Sequence, residues 1–338
     1  MVYINSIAYY LPEKILSNLD ISKEHPEWSV DKISSKIGIE KRHIAKDEES
    51  SGDLAYKAAE LLLRSLPFDR REIDYIILCT QSPDYFLPST SCVIQDKLGL
   101  SKKSGAFDFN LGCSGYIYGL GVAKGLILTN QANKILLLTG ETYTKFINPL
   151  DKGNKTIFGD AGTATLISKE KVKDGINASI LDFCYGTDGS GAENLIVKNG
   201  ALRNKQCTSE NKYDENGEYI SNDSNLFMNG KEIFNFTAFK VPPLIKDVTS
   251  KNNTTLEEVD FFIFHQANEF MLNTVRKRCG IPEEKFYIDI KDIGNTVSNT
   301  IPIALFRSHE AGLLKEKKNL LLSGFGVGLS MAAVLIKL

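Results

Sequence analysis

The sequence is poor in the groups that announce metal or redox chemistry and lacks the segments that enter membranes. It has 4 histidines and 1 tryptophan in 338 residues, and its 6 cysteines (Cys79, Cys92, Cys113, Cys184, Cys207, Cys279) include no Cys-x-x-Cys pair. That spacing excludes a zinc ribbon or a dithiol motif and predicts reduced thiols in an intracellular protein. No run of about 18 consecutive apolar residues occurs, which excludes a transmembrane helix. The first stretch, Met1-Val-Tyr-Ile-Asn-Ser-Ile-Ala-Tyr-Tyr-Leu-Pro12, alternates like a strand and has no basic start followed by an apolar core. It does not read as a signal peptide, and a cytoplasmic location is expected. Lys and Arg total 40 against 42 Asp and Glu, a net charge of −2. There is no overall field to attract nucleic acid or an anionic membrane, so any acidic partner must be held locally.

What is present is an ordinary core-forming composition, 42% hydrophobic and 24% charged. Residues 52–66 carry an amphipathic helix pattern, 73–80 and 134–139 read as buried strands, and 89–98 reads as a helix ending at Gly99. Strands alternating with helices predict α/β layers. The segment 199–229 is rich in Asn, Ser, Lys and Glu and is expected to be a solvated insertion or a lid.

The chain also repeats. Arg71-Glu-Ile-Asp-Tyr-Ile-Ile-Leu-Cys-Thr-Gln81 is echoed by Glu257-Glu-Val-Asp-Phe-Phe-Ile-Phe-His-Gln266, Phe107-Asp108 by Ile288-Asp289, and Asn133-Lys-Ile-Leu-Leu-Leu-Thr-Gly140 by Lys318-Asn-Leu-Leu-Leu-Ser-Gly324. Matches in the same order at a nearly constant offset predict two copies of one unit about a pseudo-twofold axis. The halves are placed at 1–172 and 173–338. Equivalent tips should then converge, bringing Cys113 of the first half to His265 and Asn295 of the second.

Each of these residues has a local rationale. Cys113 stands between a strand pattern (106–110) and a helix pattern (116–127), flanked by Gly112 and Gly115. A strand-to-helix turn offers free backbone N–H groups and a positive helix end, which lower a thiol pKa. An unpaired cysteine otherwise packs as a small hydrophobe. His265 ends the apolar run 259–264, where a strand tip opens into a cleft, and Asn295 follows Gly294 in a turn. An imidazole N–H and an amide NH2 can donate to one carbonyl oxygen and hold the charge left when a neighbouring carboxylate departs as carbon dioxide. The Gly-rich turn Ser323-Gly-Phe-Gly-Val-Gly-Leu-Ser330 supplies backbone N–H groups and lacks the Lys-Ser/Thr of a phosphate loop.

With Gly112-Cys-Ser-Gly115, Phe158-Gly-Asp-Ala-Gly162, His265-Gln-Ala-Asn268, Gly294-Asn295 and Gly324-Phe-Gly-Val-Gly328 in this order, the chain resembles the thiolase-like condensing enzymes, and among them β-ketoacyl-acyl carrier protein synthase III. The resemblance extends over nearly the whole chain. It implies a layered α/β/α/β/α fold of duplicated halves and a homodimer without metal or redox cofactor. It also implies a decarboxylative Claisen condensation. Cys113 would take an acyl primer from coenzyme A or acyl carrier protein, with the backbone N–H groups of Cys113 and Val327 as oxyanion hole. His265 and Asn295 would hold malonyl-acyl carrier protein. Trp28, Lys36 and Lys152 fall where the family binds coenzyme A, the two lysines replacing arginines and losing the bidentate fork. Leu87 falls where a phenylalanine closes the partner subunit's acyl pocket, so a longer or branched primer is expected, in a specialised pathway. The carrier protein is expected to touch Gln266, Ala267, Asn268, Glu269 and Phe270 and the basic cluster Arg276, Lys277 and Arg278. Two other readings remain open, a non-condensing acyltransferase using Cys113 and a silent partner of another ketosynthase.

Overall fold

The computed structural model describes residues 1–206 and 208–338. In the first half the chain forms β1 (Tyr3–Tyr10), α1 (Asn18–Glu24), α2 (Val30–Ile37), α3 (Ser51–Ser65), β2 (Tyr75–Cys79), α4 (Thr90–Lys97), β3 (Gly105–Phe109), α5 (Gly115–Leu128), β4 (Lys134–Glu141), α6 (Lys152–Ile157) and β5 (Ala161–Ser168). The second half follows with β6 (Ala178–Thr187), α7 (Gly230–Lys251), β7 (Phe261–Phe264), α8 (Glu269–Arg278), β8 (Phe286–Tyr287), α9 (Thr300–Glu310), β9 (Asn319–Gly326) and β10 (Ser330–Lys337).

The ten strands lie in the order β8-β7-β9-β10-β6-β1-β5-β4-β2-β3. Read inward from its edge, each half has the same arrangement. β2 is parallel to β3 and β4, as β7 is to β8 and β9. The remaining pairs are antiparallel in both halves. The halves join where β1 meets β6, at Tyr3 opposite Ser179.

Side-chain alternation builds the layers. On β4, Ile135 and Leu137 face one apolar cluster and Leu136 and Leu138 another, which is why this strand is apolar throughout. The first cluster takes Ile117, Leu120 and Ala123 from α5, Ile301 and Leu305 from α9, and strand residues of both halves. These two helices are the middle layer. α3 packs outside the first five strands, and α7 and α8 pack outside the second five. The result is the expected α/β/α/β/α arrangement. On α5 the small residues have a purpose at Gly119 and Gly121, where a Cβ would come within 2.6 Å of Leu137 and 2.1 Å of the Tyr185 hydroxyl.

Two features go beyond the sequence reading. α7 is a 22-residue helix carrying Pro242 and Pro243, and this proline pair masks a helical pattern. The segment 199–229 forms the hairpin Lys212–Tyr213/Tyr219–Ser221 and the strand Phe227–Met228. It is tied to the first half by Asn148 Nδ2, which donates to Asn211 and Asn225 at 3.1 and 3.0 Å. The five described cysteines are free; Cys207 lies outside the described residues. No described helix is long and apolar enough to cross a membrane.

Candidate active site

Cys113 sits two residues before α5 and is 7% exposed. The end of β9 lies directly against it. A Cβ on Gly324 would fall 2.5 Å from the Cys113 carbonyl oxygen, and one on Gly326 would fall 2.8 Å from Cys113 Sγ. These glycines are therefore required by close approach rather than by turn geometry. The backbone N–H groups of Val327 and Cys113 point at the sulfur and favour the thiolate, but they do not prevail. Burial, with the Glu141 carboxyl as a second cause, pushes the thiol up to about 12. The lowered thiol pKa expected from the helix end is thus overturned, because desolvation of a buried anion outweighs a few N–H dipoles.

His265 directly follows β7, with its backbone N–H donating to the Ser323 carbonyl at 2.8 Å. The ring packs edge-on against Phe325, 5.9 Å between centroids. Ser323 and Phe325 alternate along β9 with Gly324 and Gly326, the residues pressed on Cys113. The same strand end therefore touches both the cysteine and the imidazole. Burial pulls His265 down to about 3, against a hydrogen bond to the Val297 carbonyl. The ring is neutral. Thr300 Oγ1 donates to the Val297 carbonyl at 3.0 Å and lies 2.8 Å from Nδ1, so while it holds that carbonyl it accepts from Nδ1–H, and its hydroxyl decides which ring nitrogen carries the proton.

Asn295 is fixed by both halves. Its N–H donates to the Ile157 carbonyl at 2.9 Å and its carbonyl accepts from Gly159 N–H at 3.0 Å. Gly294 before it has φ +67°, and a Cβ there would meet the Ile157 carbonyl at 2.8 Å. The motif Phe158-Gly-Asp-Ala-Gly162 therefore positions the amide. Asn295 Oδ1 accepts from Val297 N–H at 2.9 Å, which leaves the Nδ2 donors for a ligand.

Sequence reasoning passed over Thr300 and Glu141, polar residues that belong to no obvious motif. Glu141, at the end of β4, is fully buried and accepts from Gln81 N–H at 3.1 Å, Ser82 Oγ at 3.3 Å and Ser298 Oγ at 3.0 Å. Burial pushes its carboxyl up to about 8. The only available signal was a lone acid ending an apolar run.

The outer candidates divide. Trp28 is half-buried on an isoleucine cluster, and Lys36 is exposed in the last turn of α2. Lys152 is ion-paired to Glu27 at 2.5 Å and Glu218 at 2.9 Å, so a phosphate must displace them. Leu87 is 83% exposed at the rim of a cavity of about 1540 Å³ that also reaches Gln81, Tyr143 and Val327.

The expected carrier surface needs correction at three positions. Gln266 and Ala267 are buried, and the Gln266 amide bridges the Phe264 carbonyl and Asp289 N–H at 2.6 and 2.7 Å. Arg276 is 8% exposed and bonded to the Ile281 carbonyl and Glu283. These hold the strand end and the helix C-terminus rather than facing outward. Asn268 caps α8 through Met271 N–H at 2.8 Å. Glu269, Phe270, Lys277 and Arg278 are exposed. Phe270 stacks on Phe234 at 5.6 Å, and Arg278 lies 4.5 Å over the Phe239 ring.

Duplicated α/β halves with a cysteine heading a buried central helix define the thiolase-like class. Models of 3-oxoacyl-[acyl-carrier-protein] synthase III match residues 107–189 and, for its C-terminal part, 249–338. A β-ketoacyl-[acyl-carrier-protein] synthase III of Clostridium perfringens is 38% identical over 97% of both chains. One from Clostridium tetani is 38% identical over 99% of this chain and 98% of its own. A solved 3-oxoacyl-(acyl-carrier-protein) synthase III superposes with a TM-score of 0.95 at 42% identity, covering 100% of this chain and 99% of that one. The synthase from Burkholderia xenovorans gives 0.89 at 36%, covering 100% and 94%. The chain belongs to the 3-oxoacyl-[acyl-carrier-protein] synthase III family.

Proposed function

We propose that the chain catalyses a decarboxylative condensation of an acyl primer with malonyl-acyl carrier protein, giving a 3-oxoacyl-acyl carrier protein. The observation that carries this reading is the pairing of an uncharged imidazole with a free amide NH2 beside a cysteine covered by Val327 N–H.

In the first step Cys113 Sγ bonds to the primer carbonyl and the carbon–sulfur bond to the carrier breaks. The sulfur's proton ends on the departing thiol. The negative oxygen of the tetrahedral intermediate lies against the N–H groups of Cys113 and Val327. Since burial opposes a resting thiolate, the proton leaves as the new bond forms.

In the second step the malonyl carboxylate departs as carbon dioxide. Its electrons pass into an enolate whose oxygen accepts from His265 Nε2–H and Asn295 Nδ2. This requires the ring proton on Nε2, so the Thr300 hydroxyl, which donates to the Val297 carbonyl in the resting structure, must turn to donate to Nδ1. The enolate carbon attacks the acyl-cysteine, and the released thiolate takes a proton from solvent.

We further infer a homodimer in the cytoplasm, with Leu87 reaching the partner's acyl pocket, and a carrier protein docking on Glu269, Phe270, Lys277 and Arg278. Coenzyme A contacts are assigned to Trp28, Lys36 and Lys152, and the halves to 1–172 and 173–338. Intact-protein mass spectrometry after incubation with mixed acyl thioesters tests the first step. One acyl adduct is expected, absent from Cys113→Ala; an adduct that persists in that variant contradicts the nucleophile.

A further inference from the structure

The wall of the cavity beside Cys113 is not uniformly apolar. Leu195, Val197, Leu226 and Phe146 give it an apolar lining. Next to the cysteine stand Asn110, Gln81 and Tyr143, which line the same cavity. The position of Gln81 is tightly defined. A Cβ on Gly112, the residue before Cys113, would meet Gln81 Oε1 at 2.4 Å and Val327 Cγ1 at 2.5 Å. The amide therefore packs on the nucleophile's own loop, at the level of the first carbons of any acyl chain on the sulfur.

The three side chains form a polar chain. Tyr143 Oη donates to Gln81 Oε1 at 2.5 Å, and Gln81 Nε2 donates to Asn110 Oδ1 at 3.1 Å. Gln81's backbone is held in turn by Glu141. Hydrogen-bonding capacity is left over. Asn110 Nδ2 donates to no protein atom among the described residues, Gln81 Nε2 keeps a second N–H, and the Tyr143 oxygen keeps a lone pair. Donors outnumber acceptors and are uncharged, which suits a neutral oxygen. A plain alkyl chain would strip water from these groups and return nothing, a mismatch that sites built for a hydroxyl or carbonyl use to reject the analogue lacking it.

We propose that the primer is an acyl chain with a neutral oxygen substituent, hydroxyl or keto, close to its thioester, bound by Asn110, Gln81 and Tyr143. This rests on Cys113 being the acyl acceptor. The oxygen sits in the polar collar, and the rest of the chain runs into the apolar part of the cavity. The same collar makes simple saturated primers poor substrates however well the apolar part of the cavity fits them.

The test is competitive loading of Cys113 followed by intact mass, using butanoyl, 3-hydroxybutanoyl and 3-oxobutanoyl coenzyme A, and the same three groups on acyl carrier protein. At least one oxygenated group is expected to load about tenfold faster than butanoyl, the equivalent of one good hydrogen bond. The two oxygenated arms separate hydroxyl from keto recognition. In Tyr143→Phe and Gln81→Met the ratio is expected to fall toward one. Butanoyl loading as fast as both oxygenated groups, or a ratio unmoved in both variants, overturns the inference while leaving the condensing reading intact. No adduct from any of the thioesters overturns both.

Discussion

At the scale of single residues, burial governs the chemistry. Cys113 is held as a thiol and His265 as a neutral ring, so the pair does not rest as thiolate and imidazolium. Alkylation of Cys113 by iodoacetamide should therefore keep rising with pH beyond pH 9, tracking a thiol pushed up to about 12. A plateau reached by pH 7 would show a preformed ion pair. In the proposed second step Asn295 gives one donor to the enolate, so Asn295→Ala should slow carbon dioxide release by on the order of 10²-fold. Cys113 acylation should change far less; equal loss in both steps would remove the assigned role. The placement of Cys113, His265 and Asn295 at the ends of repeated elements was legible because repeat position and motif coincide. Thr300 and Glu141 were not, since their importance lies in what they touch across the fold.

At the scale of elements, the end of β9 organises the site. A methyl group at Gly326 would sit 2.8 Å from the sulfur, so Gly326→Ala should cut acylation by more than about tenfold. On α5, a methyl group at Gly125 would meet no atom within 4 Å, and Gly125→Ala should stabilise the protein by about 0.5–1 kcal/mol. Thermal melting and acylation rates together separate the two effects. Similar behaviour of both variants would mean that close packing at β9 is not what the glycine serves. The strands and helices around Cys113 were readable from alternation and helical spacing. α7 was hidden by its prolines, and the inward-facing Gln266, Ala267 and Arg276 were hidden because a short motif does not show which side of a helix start meets the sheet. The remaining exposed residues of α8 carry the docking proposal. Lys277→Glu with Arg278→Glu should raise KM for malonyl-acyl carrier protein severalfold through lost charge complementarity, with acylation from coenzyme A thioesters little changed.

At the scale of the whole molecule, the duplicated halves meet at a group that titrates. Glu141 links Gln81 and Ser82 to Ser298 across the junction, and its carboxyl moves from an ordinary 4.5 to about 8. Between these values the unfolded chain has lost this proton and the folded one keeps it, so stability falls as pH rises through the window. His265 moves from 6.5 to about 3. There the unfolded chain gains a proton that the folded one refuses, so stability falls as pH drops through that window. Glu141→Gln should therefore raise the melting temperature more at pH 8 than at pH 5; an equal change at both would place the carboxyl's titration elsewhere.

The duplication itself could be read from the sequence, but the way the end of β9 presses on Cys113 while Ser323 and Phe325 hold His265 comes only from packing. The central claim is that Cys113, His265 and Asn295 perform a condensation driven by loss of carbon dioxide. Its most direct test is to trap Cys113 as the acyl-enzyme, add malonyl-acyl carrier protein labelled in the free carboxyl, and measure label released against 3-oxoacyl product formed. One labelled carbon dioxide per product, with both abolished in His265→Ala, is the predicted result. Acyl transfer to an acceptor with the label retained on the carrier would contradict the account.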